Sequence, residues 1–382
     1  MNEDQVRSAV AHFAALPDPR IERTKKHKLL DIVVIALCAV IANAESFVDI
    51  EDFGRAKEDW LRKYLELPGG IPSHDTFTRV FARLDPTQWQ LCFLDWVRAM
   101  VGGKLEGDTV ALDGKSLRGS AGEDERAVHM LNAWSTRHGL CLAQEAVDDK
   151  SNEITALPAV IDTLSLLDLS GCTVTVDAMG AQREVARKLQ DQEADYLLAL
   201  KGNQGYLHED AGEMFEDAEK RSFELEHDFF ETSERGHGRV ETRRCWTLPA
   251  TPDLDDHAWP GLESVALVEC ERTAGGKTSV EKRYFLTSLE GDARRVLEAV
   301  RSHWGIENSL HWVLDVVFGE DGHSYARDHG PENMAVMRQL ALNLIKQDTS
   351  VRGSLKGKRK RAAWDEDYLA HLLIQLNPNL DA

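Results

Sequence analysis

Residues 301–315 read RSHWGIENSLHWVLD and place one glutamate among two tryptophans and two histidines on a short segment. A helical period puts Glu307 and His311 on one face, four residues apart. A carboxylate on the packed face of a helix needs a partner, because an ionised group away from water is costly unless it is paired. For this stretch alone, two interpretations stay open. It is either a buried helix whose Glu307 is satisfied by Arg301 or a histidine, or a helix that carries Glu307 to a functional site.

The length and composition predict a globular protein with more than one hydrophobic core, since the chain has 382 residues and is 42% hydrophobic. It carries 45 lysines and arginines against 65 aspartates and glutamates, a formal net charge of −20. This charge gives no general electrostatic attraction for nucleic acid. Any DNA contact must use local basic segments such as residues 20–28 or 356–361, although such runs are more often solvated surface.

The six cysteines, at positions 38, 92, 141, 172, 245 and 270, form no C-x-x-C pair. Without a signal peptide before them, they are expected to be free thiols in a reducing compartment. The longest apolar run, residues 29–42, contains Asp31 and is shorter than the roughly 20 residues that a membrane span needs. We therefore expect a buried helix there, no membrane partner and a cytoplasmic location.

Residues 1–103 are predicted to form a small all-α domain. Predicted helices cover residues 6–16, 29–42, 47–64, 73–84 and 88–100, and the Val-Gly-Gly sequence at 101–103 is the predicted domain boundary. The two helices on either side of the glycines at 69–70 resemble a helix-turn-helix unit, although plain helical packing explains them equally well. The side chains available to face a duplex there are His74, Thr76, Thr78, Arg79 and Arg83.

After the boundary, the hydrophobic period changes from helical to strand-like. Strands are predicted at 109–112, 129–136, 140–147, 172–176 and 196–200, with helices at 154–167 and 182–192. The order βββαβαβ is typical of ribonuclease-H-like domains. We therefore predict an α/β fold with a ribonuclease-H-like catalytic domain over residues 104–348. A β-rich inserted sheet at about 205–290 interrupts it, with strands at 240–248, 265–270 and 280–286, and a basic linker with a C-terminal helix occupies 349–382.

Two aspartates, Asp113 and Asp177, each follow a predicted strand and precede a glycine by one to three positions. For either residue alone, a cap in a turn is the more common role. On adjacent strands, however, the two carboxylates would repel each other, which favours a divalent cation between them. With Glu307 they form an oxygen-ligand set suited to Mg²⁺ or Mn²⁺ rather than zinc, and two such ions about 4 Å apart support phosphodiester chemistry.

Six sequence runs carry a resemblance to a known family. They are LDGK at 112–115, VDAMG at 176–180, ALKGNQ at 199–204, RGHGRVETR at 235–243, HWGIENSLHW at 303–312 and GIPSHDTF at 70–77. In these runs the chain resembles the ISAs1-type transposases of bacterial insertion sequences, a branch of the DDE group. The resemblance implies a ribonuclease-H-like catalytic domain with a β-rich insertion, cleavage at element ends and strand transfer into target DNA.

Position by position, the resemblance implies that Asp113, Asp177 and Glu307 are the catalytic triad and hold two Mg²⁺ or Mn²⁺ ions. It also implies double-stranded DNA as partner, at the terminal inverted repeats and at the target, a homo-oligomer such as a dimer, and a location with the nucleoid. The target preference, the end sequence and any hairpin intermediate are not predicted.

One feature departs from the family pattern. Related DDE enzymes have Tyr, Arg and Lys seven before, four before and seven after the glutamate, whereas this chain has Val300, His303 and Leu314. The phosphate contacts of that Arg and Lys must come from elsewhere, and Arg301, His303 and His311 are the candidates.

Further candidates for DNA contact follow the predicted strands or lie in the insertion: Lys115, Arg118, Lys201, Asn203, Gln204, His237 and Arg239. The alternative for those that follow strands is a solvated turn. For Arg239, which alternation places on one strand face with Glu241 and Arg243, a cross-strand ion pair is an equal alternative.

Three functions fit these features. The leading one is a DNA transposase that acts as an oligomer on paired element ends. A non-catalytic DNA-binding regulator derived from a transposase agrees with the helical front end and with the missing Arg and Lys. A stand-alone nuclease would lack strand-transfer products.

Overall fold

The computed structural model of the chain describes residues 3–121, 127–147, 153–224, 226–236, 238–251, 259–322 and 328–377. The strands in these ranges are β1 (Thr109–Leu117), β2 (Val128–Ser135), β3 (Leu140–Val147), β4 (Thr173–Val176), β5 (Asp195–Leu200), β6 (Asp228–Gly236), β7 (Arg239–Pro249), β8 (Ser264–Ala274) and β9 (Lys277–Thr287).

The α-helices of the first half are α1 (Glu3–Val10), α2 (Leu29–Ile41), α3 (Phe47–Ala56), α4 (Glu58–Leu61), α5 (His74–Arg83), α6 (Pro86–Val101), α7 (Glu153–Leu164) and α8 (Arg183–Gln190). Those of the second half are α9 (Tyr206–Lys220), α10 (Ala293–Ile306), α11 (Trp312–Val316), α12 (Gly330–Gln347), α13 (Leu355–Trp364) and α14 (Glu366–Ile374). A π-helical turn, Glu307–His311, joins α10 to α11.

A mixed sheet organises the structure, with strand order β3-β2-β1-β4-β5-β9-β8-β7-β6. The first three strands form an antiparallel meander, and β1, β4 and β5 run parallel to one another. The helices α7 and α8 make the two crossovers of the parallel strands. The βββαβαβ order predicted from the sequence is therefore the order in the structure, and the fold is α/β.

Strand β1 is longer than predicted. The sequence indicated an end at Leu112, but the strand runs to Leu117 because β2 pairs with it along this whole length. Only the parallel pairing with β4 stops at Leu112, opposite Val176. Asp113 therefore lies inside a strand and beyond the end of its parallel neighbour.

The insertion is part of the same sheet, which corrects the prediction of an inserted sheet with three strands. Strand β6 was missed, and β6–β9 form a four-stranded antiparallel meander. Strand β9 then pairs antiparallel with β5, with Leu197 opposite Thr287. The pairing satisfies backbone groups that β5 would otherwise expose at a sheet edge.

Helix α12 connects the helical front of the chain to the sheet. It is buried along most of its length and packs against α2, α5, α6 and β3. The amide Nδ2 of Asn333 donates to the carbonyls of Phe81 and Leu84 at 2.7 and 2.9 Å, and the Trp89 indole donates to the Asn333 carbonyl at 3.0 Å. One buried apolar cluster includes Phe77, Trp89, Val110 and Leu340. The hydrophobic core thus continues across the predicted boundary at residues 101–103.

Residues of both basic segments have protein partners. Residues 356–361 were predicted to belong to a linker, but they lie in helix α13. Lys358 donates to the Ile345 carbonyl at 3.2 Å, and Arg359 is buried, with Nη2 donating to the Val40 carbonyl at 2.8 Å, so these two cations hold α13 against α12 and α2. In the segment 20–28, Arg20 pairs with Asp18 at 2.8 Å, whereas Arg23, Lys26 and Lys28 stay exposed.

The unit that resembles a helix-turn-helix has local partners for its polar side chains. The predicted helix over 47–64 is broken at Lys57 into α3 and α4. On α5, the backbone N–H of His74 donates to the Glu51 carboxylate at 2.6 Å and Thr78 donates to the His74 carbonyl at 2.8 Å. Arg79 and Arg83 of α5 stay exposed, so both alternatives stay open. Among the described residues, no helix is both long and apolar enough to cross a membrane.

Candidate active site

A cavity of about 410 Å³ lies where β1, the loop after β4 and the α10 region meet. Its lining includes all three acids singled out from the sequence, Asp113, Asp177 and Glu307. The structure therefore brings together side chains that are separated by up to 194 positions, the difference between 307 and 113. Of the candidate cations, Lys201 and His303 also line it, together with Arg283 of β9.

The parallel register brings the two aspartates to the same edge of the sheet. Leu112 is opposite Val176, and Asp113 and Asp177 are the residues that follow this last pair. Asp177 begins a turn in which its Oδ1 accepts the backbone N–H groups of Met179 at 3.0 Å and Gly180 at 3.2 Å. This turn fixes one carboxylate oxygen. The capping role considered for Asp177 and its place in the cavity are thus both present.

Glu307 begins the π-helical turn. π-helical turns inside α-helices are rare and occur often at functional sites. Glu307 Oε2 accepts from His311 Nδ1 at 3.0 Å, so the pair predicted on one helix face is in contact. The Glu307 side chain is 59% exposed, whereas that of His311 is 4% exposed. The Glu307 carboxylate is therefore accessible at the cavity, whereas the His311 ring that contacts it is buried. Trp304 and Trp312 stay half exposed, and Trp304 also lines the cavity.

The donor groups fit a divalent cation. Asp113, Glu307 and His311 each offer one ligand atom, and these three atoms lie within 4.8 Å of one another, whereas Asp177 lines the same cavity outside this group. The cavity lining holds four carboxylates, including Glu281, against the two cationic side chains Lys201 and Arg283. Such an excess of carboxylate oxygens matches the preference of Mg²⁺ and Mn²⁺.

A buried hydrogen-bonded chain lies behind the glutamate. Its members are His311, Asn132 of β2, Gln339 of α12 and Cys141 of β3. Asn132 Nδ2 lies 3.4 Å from His311 Nε2, Gln339 Nε2 donates to Asn132 Oδ1 at 2.7 Å, and the Cys141 thiol donates to Gln339 Oε1 at 3.0 Å. Burial lowers the pKa of His311, against the opposing effect of its hydrogen bond with Glu307.

Lys115, a candidate for DNA contact, is instead the centre of a buried ion cluster. Its ammonium lies 2.5 Å from Asp315 and 3.0 Å from Glu320, and Glu320 also pairs with Arg338 at 3.3 Å. Burial acts against the charge, but the carboxylates of Glu320 and Asp315 raise the pKa of Lys115 overall. The side chain is 7% exposed, so the ammonium holds β1 to the region after α11 and is not presented to a ligand.

His303 and Gln204 are also held by the protein. The His303 ring nitrogen Nδ1 lies 2.9 Å from Thr175 Oγ1, and burial lowers the pKa of His303, which makes it a poor replacement for an arginine at neutral pH. Gln204 Nε2 donates to the Ala181 carbonyl at 2.7 Å. Lys201 is exposed at the cavity. Asn203 lies in a short 3₁₀ turn, and its side chain is outside the described part of the structure.

The remaining candidates differ in exposure. The Arg118 side chain is 81% exposed and lies 3.6 Å from Asp321. Arg301 pairs with Glu234 at 2.5 Å, and Arg239 pairs with Glu241 at 2.9 Å, which is the ion-pair alternative along the strand rather than across it. His237 lies outside the described residues.

Sequence reasoning missed the buried chain and Arg283. Asn132 and Gln339 are polar residues within apolar runs, MLNAW in β2 and MRQLAL in α12, and a buried polar residue of this kind needs a partner. The sequence therefore indicated that Asn132 and Gln339 have buried partners, but it did not indicate which residues those partners are. The Arg283 guanidinium lies 5.0 Å from the Trp304 ring centroid. Arg283 reaches the cavity because β9 pairs with β5, and the sequence did not predict this pairing.

Comparisons with known proteins agree across most of the chain. Residues 104–344 match the family described as "Transposase DDE domain", and residues 10–97 match the family described as "DDE_Tnp_1-associated". The chain is 38% identical over 375 residues to "Putative transposase YncI" of Escherichia coli O157:H7, across 96% of this chain and 95% of the relative. It is 37% identical over 377 residues to "H repeat-associated putative transposase YhhI" of Escherichia coli strain K12, across 97% of this chain and 98% of the relative.

Among solved structures, the chain has a TM-score of 0.44 and 11% identity to a "Cryo-EM structure of piggyBac transposase synaptic complex with hairpin DNA", over 99% of this chain and 78% of that chain. Similarity at this level does not establish a common fold.

Proposed function

Because the chain belongs to the family of transposases with a DDE domain, enzymes that cut and join DNA with divalent metal ions, we propose that it mobilises an ISAs1-type insertion sequence. In this proposal it cleaves phosphodiester bonds at the element ends and joins them to target DNA. The catalytic domain, residues 104–348, is ribonuclease-H-like, as the family match over 104–344 implies.

The observation that carries the proposal is the convergence of Asp113, Asp177 and Glu307 on one cavity. These three carboxylates are the proposed ligands of two Mg²⁺ or Mn²⁺ ions. When bound, such ions activate the attacking water or 3′-hydroxyl and stabilise the leaving oxygen. A site with this many carboxylates repels the DNA backbone unless divalent cations neutralise it. Metal binding is therefore also a condition for DNA to approach.

The protein's own side chains position the proposed metal ligands and the DNA phosphates. Asp177 Oδ1 is fixed by two backbone N–H donors, and Glu307 Oε2 is held by His311. Lys201 and Arg283 line the same cavity and are the proposed contacts for the phosphates next to the cleaved bond. Since His303 lies against Thr175, Arg283, which also pairs with Glu281 at 2.8 Å, takes the place of the family's missing arginine in this proposal.

The proposed partners are double-stranded DNA at the terminal inverted repeats and at the target. A homodimer is the simplest assembly that presents one catalytic site to each of two element ends. The exposed Arg118 and Arg301 are the proposed contacts for flanking DNA, because cations at exposed positions contribute to sequence-independent backbone binding.

The test is cleavage of the DNA that flanks the gene. Purified protein is incubated with this DNA and Mg²⁺, and new 5′ and 3′ termini and joined products are mapped. Wild type is expected to nick at defined ends, and Asp113→Asn, Asp177→Asn and Glu307→Gln are each expected to lose nicking by at least about 10²-fold, as for groups that stabilise a transition state. Glu216→Gln, on an exposed carboxylate of α9, is the matched control.

The outcomes separate the alternatives. Unchanged nicking in all three acid variants would reject these assignments. Specific binding to the ends without cleavage under Mg²⁺ or Mn²⁺ would identify a regulator, which the converging acids do not favour. Cleavage without joined products would identify a stand-alone nuclease.

A further inference from the structure

The His311 ring lies between a pair of carboxylates and a buried amide. On one side, Nδ1 is 3.0 Å from Glu307 Oε2 and 3.6 Å from Asp113 Oδ2. Ionised carboxylates only accept hydrogen bonds, so a nitrogen in this position carries a proton. Nδ1–H therefore donates to Glu307.

On the other side of the ring, the order of donors and acceptors fixes Nε2. The Cys141 thiol donates to Gln339 Oε1, which leaves Gln339 Nε2 to donate to Asn132 Oδ1. The Asn132 amide group is thereby turned with its N–H toward His311 Nε2, at 3.4 Å. A nitrogen that faces an N–H donor must accept, so Nε2 carries no proton and the ring is neutral.

We propose that His311 is a positioning residue, whose Nδ1–H holds Glu307 toward Asp113, and that Cys141, Gln339 and Asn132 fix the tautomer this requires. The proposal rests on the assignment of Glu307 as a metal ligand. It excludes two other roles for His311, a direct metal ligand through Nδ1 and a cationic phosphate contact.

The buried chain makes the ligand role unfavourable. A metal bound at Nδ1 needs its lone pair, which moves the ring proton to Nε2. Asn132 must then present its oxygen to His311, and Gln339 must turn its NH₂ toward the Cys141 sulfur, a weak acceptor. Each step replaces a matched contact in a buried site, where unmatched polar groups are costly.

The positioning role also explains why so exposed a ligand needs support. The Glu307 side chain is 59% exposed and has few packing contacts to limit its rotamers. A single donor from a buried ring at a fixed point of the π-helical turn restricts it. Outer contacts of this kind orient metal ligands, and their loss typically lowers metal affinity by about 10–100-fold.

The first test is spectroscopic and needs no activity. The full-length protein is labelled with ¹⁵N-histidine, and long-range ¹H–¹⁵N correlations distinguish the two tautomers, with His311 assigned by the signal lost in His311→Asn. We expect the proton on Nδ1, both before and after saturation with Mg²⁺. A proton on Nε2, or an Nδ1 resonance that moves to that of a coordinated nitrogen when Mg²⁺ is added, overturns the proposal.

The second test compares two substitutions. In His311→Asn, the amide NH₂ comes close to the Nδ1 position and can still donate to Glu307, whereas in His311→Gln the NH₂ comes closer to the Nε2 position. Mn²⁺ affinity, measured by electron paramagnetic resonance, is expected to fall less than about threefold in His311→Asn and about 10–100-fold in His311→Gln and His311→Ala. Equal losses in all three variants contradict the positioning role.

Controls keep the outcomes distinct. Thermal melts show which variants fold, and His329→Asn, at an exposed histidine, controls for the substitution itself. If the variants do not fold, His311 is assigned in the wild-type protein through sequential backbone correlations, so that its tautomer still decides. If wild type binds no Mn²⁺, the proposed metal site fails, whereas the tautomer measurement tests the His311 assignment separately.

Discussion

Lys115→Met is expected to destabilise the protein strongly, because it removes the ammonium that faces three carboxylates, those of Asp315, Glu320 and Asp321, in the ion cluster described above. Asp315 and Glu320 lie 2.5 and 3.0 Å from the ammonium, and the Glu320 side chain is 1% exposed. Methionine fills the same volume as the lysine stem, so the loss is mainly electrostatic. Arg338 still pairs with Glu320, but Asp315 loses the cation with which it pairs.

The size of the effect follows from the burial. Breaking a buried ion pair by removing one partner costs about 3–5 kcal/mol. An unfolding entropy of about 2.1 cal/mol/K per residue, over 382 residues, is roughly 0.8 kcal/mol/K. If the chain unfolds cooperatively through its continuous core, the expected fall in Tm is about 4–6 °C.

Calorimetry of wild type, Lys115→Met and Lys220→Met measures this difference. Lys220 is 69% exposed and lies 3.8 Å from Glu216, so its loss is expected to change stability by less than about 0.5 kcal/mol. The double variant Lys115→Met/Asp315→Asn should recover part of the loss, because it removes one unpaired charge. A Lys115→Met protein no less stable than Lys220→Met refutes the reasoning.

Three further predictions concern backbone space, core packing and a buried cation. Gly180→Ala is expected to cost about 1–3 kcal/mol and to disturb the Asp177 turn, because the new Cβ would lie 2.3 Å from Val176 Cγ1 and 2.4 Å from Leu157 Cδ1. A thermal melt measures this loss against Gly202→Ala, where the new Cβ meets open space. Leu340→Ala in α12 is expected to cost about 2–5 kcal/mol in chemical denaturation, with a single transition because the helical front and the sheet share one core; two separate transitions would contradict the shared core. Arg359→Met is expected to cost about 1–3 kcal/mol, since it removes the buried guanidinium that donates to the carbonyls of Val317 and Val40, and the difference from wild type in the denaturation midpoint measures it.

The pH dependence of the Lys115 effect has a definite sign. The folded pKa of Lys115 is raised above the ordinary value of 10.5, so the ion cluster contributes its full stability below about pH 10.5 and loses it as pH rises through the folded pKa. The stability gap between wild type and Lys115→Met should therefore narrow in strongly alkaline buffer. A gap that stays constant through that range would show that Lys115 stabilises through packing alone.

The sequence predicted the parts of the fold that depend on local period. The alternation of strand and helix patterns between residues 109 and 200 predicted the βββαβαβ order, and the position of Asp177 after β4 is as expected. The extension of β1 beyond Leu112 was missed, because it depends on pairing with β2 rather than on the apolar pattern. The same is true of β6, whose exposed residues give little apolar signal.

Charges were the harder part of the site to predict. Lys115, Arg239 and the basic run at 356–361 look like DNA contacts in sequence, but each has protein partners that arrive from distant segments or from the same strand. Lys115 follows a candidate ligand by two residues, and Lys201 lines the cavity. The sequence does not distinguish the two lysines, but in the structure Lys115 is buried and Lys201 is exposed. The acids were easier, because strand ends and register already predict their convergence.

The most direct test of the central claim is to locate Mn²⁺ by anomalous scattering in crystals of the protein grown with the ion. We expect anomalous peaks bounded by the carboxylates of Asp113, Asp177 and Glu307, at the oxygen distances of about 2.0–2.2 Å typical of ions of this kind. We also expect His311 to contact Glu307 and not the ion. Full Mn²⁺ occupancy elsewhere in the molecule, with these three carboxylates bare, would contradict it.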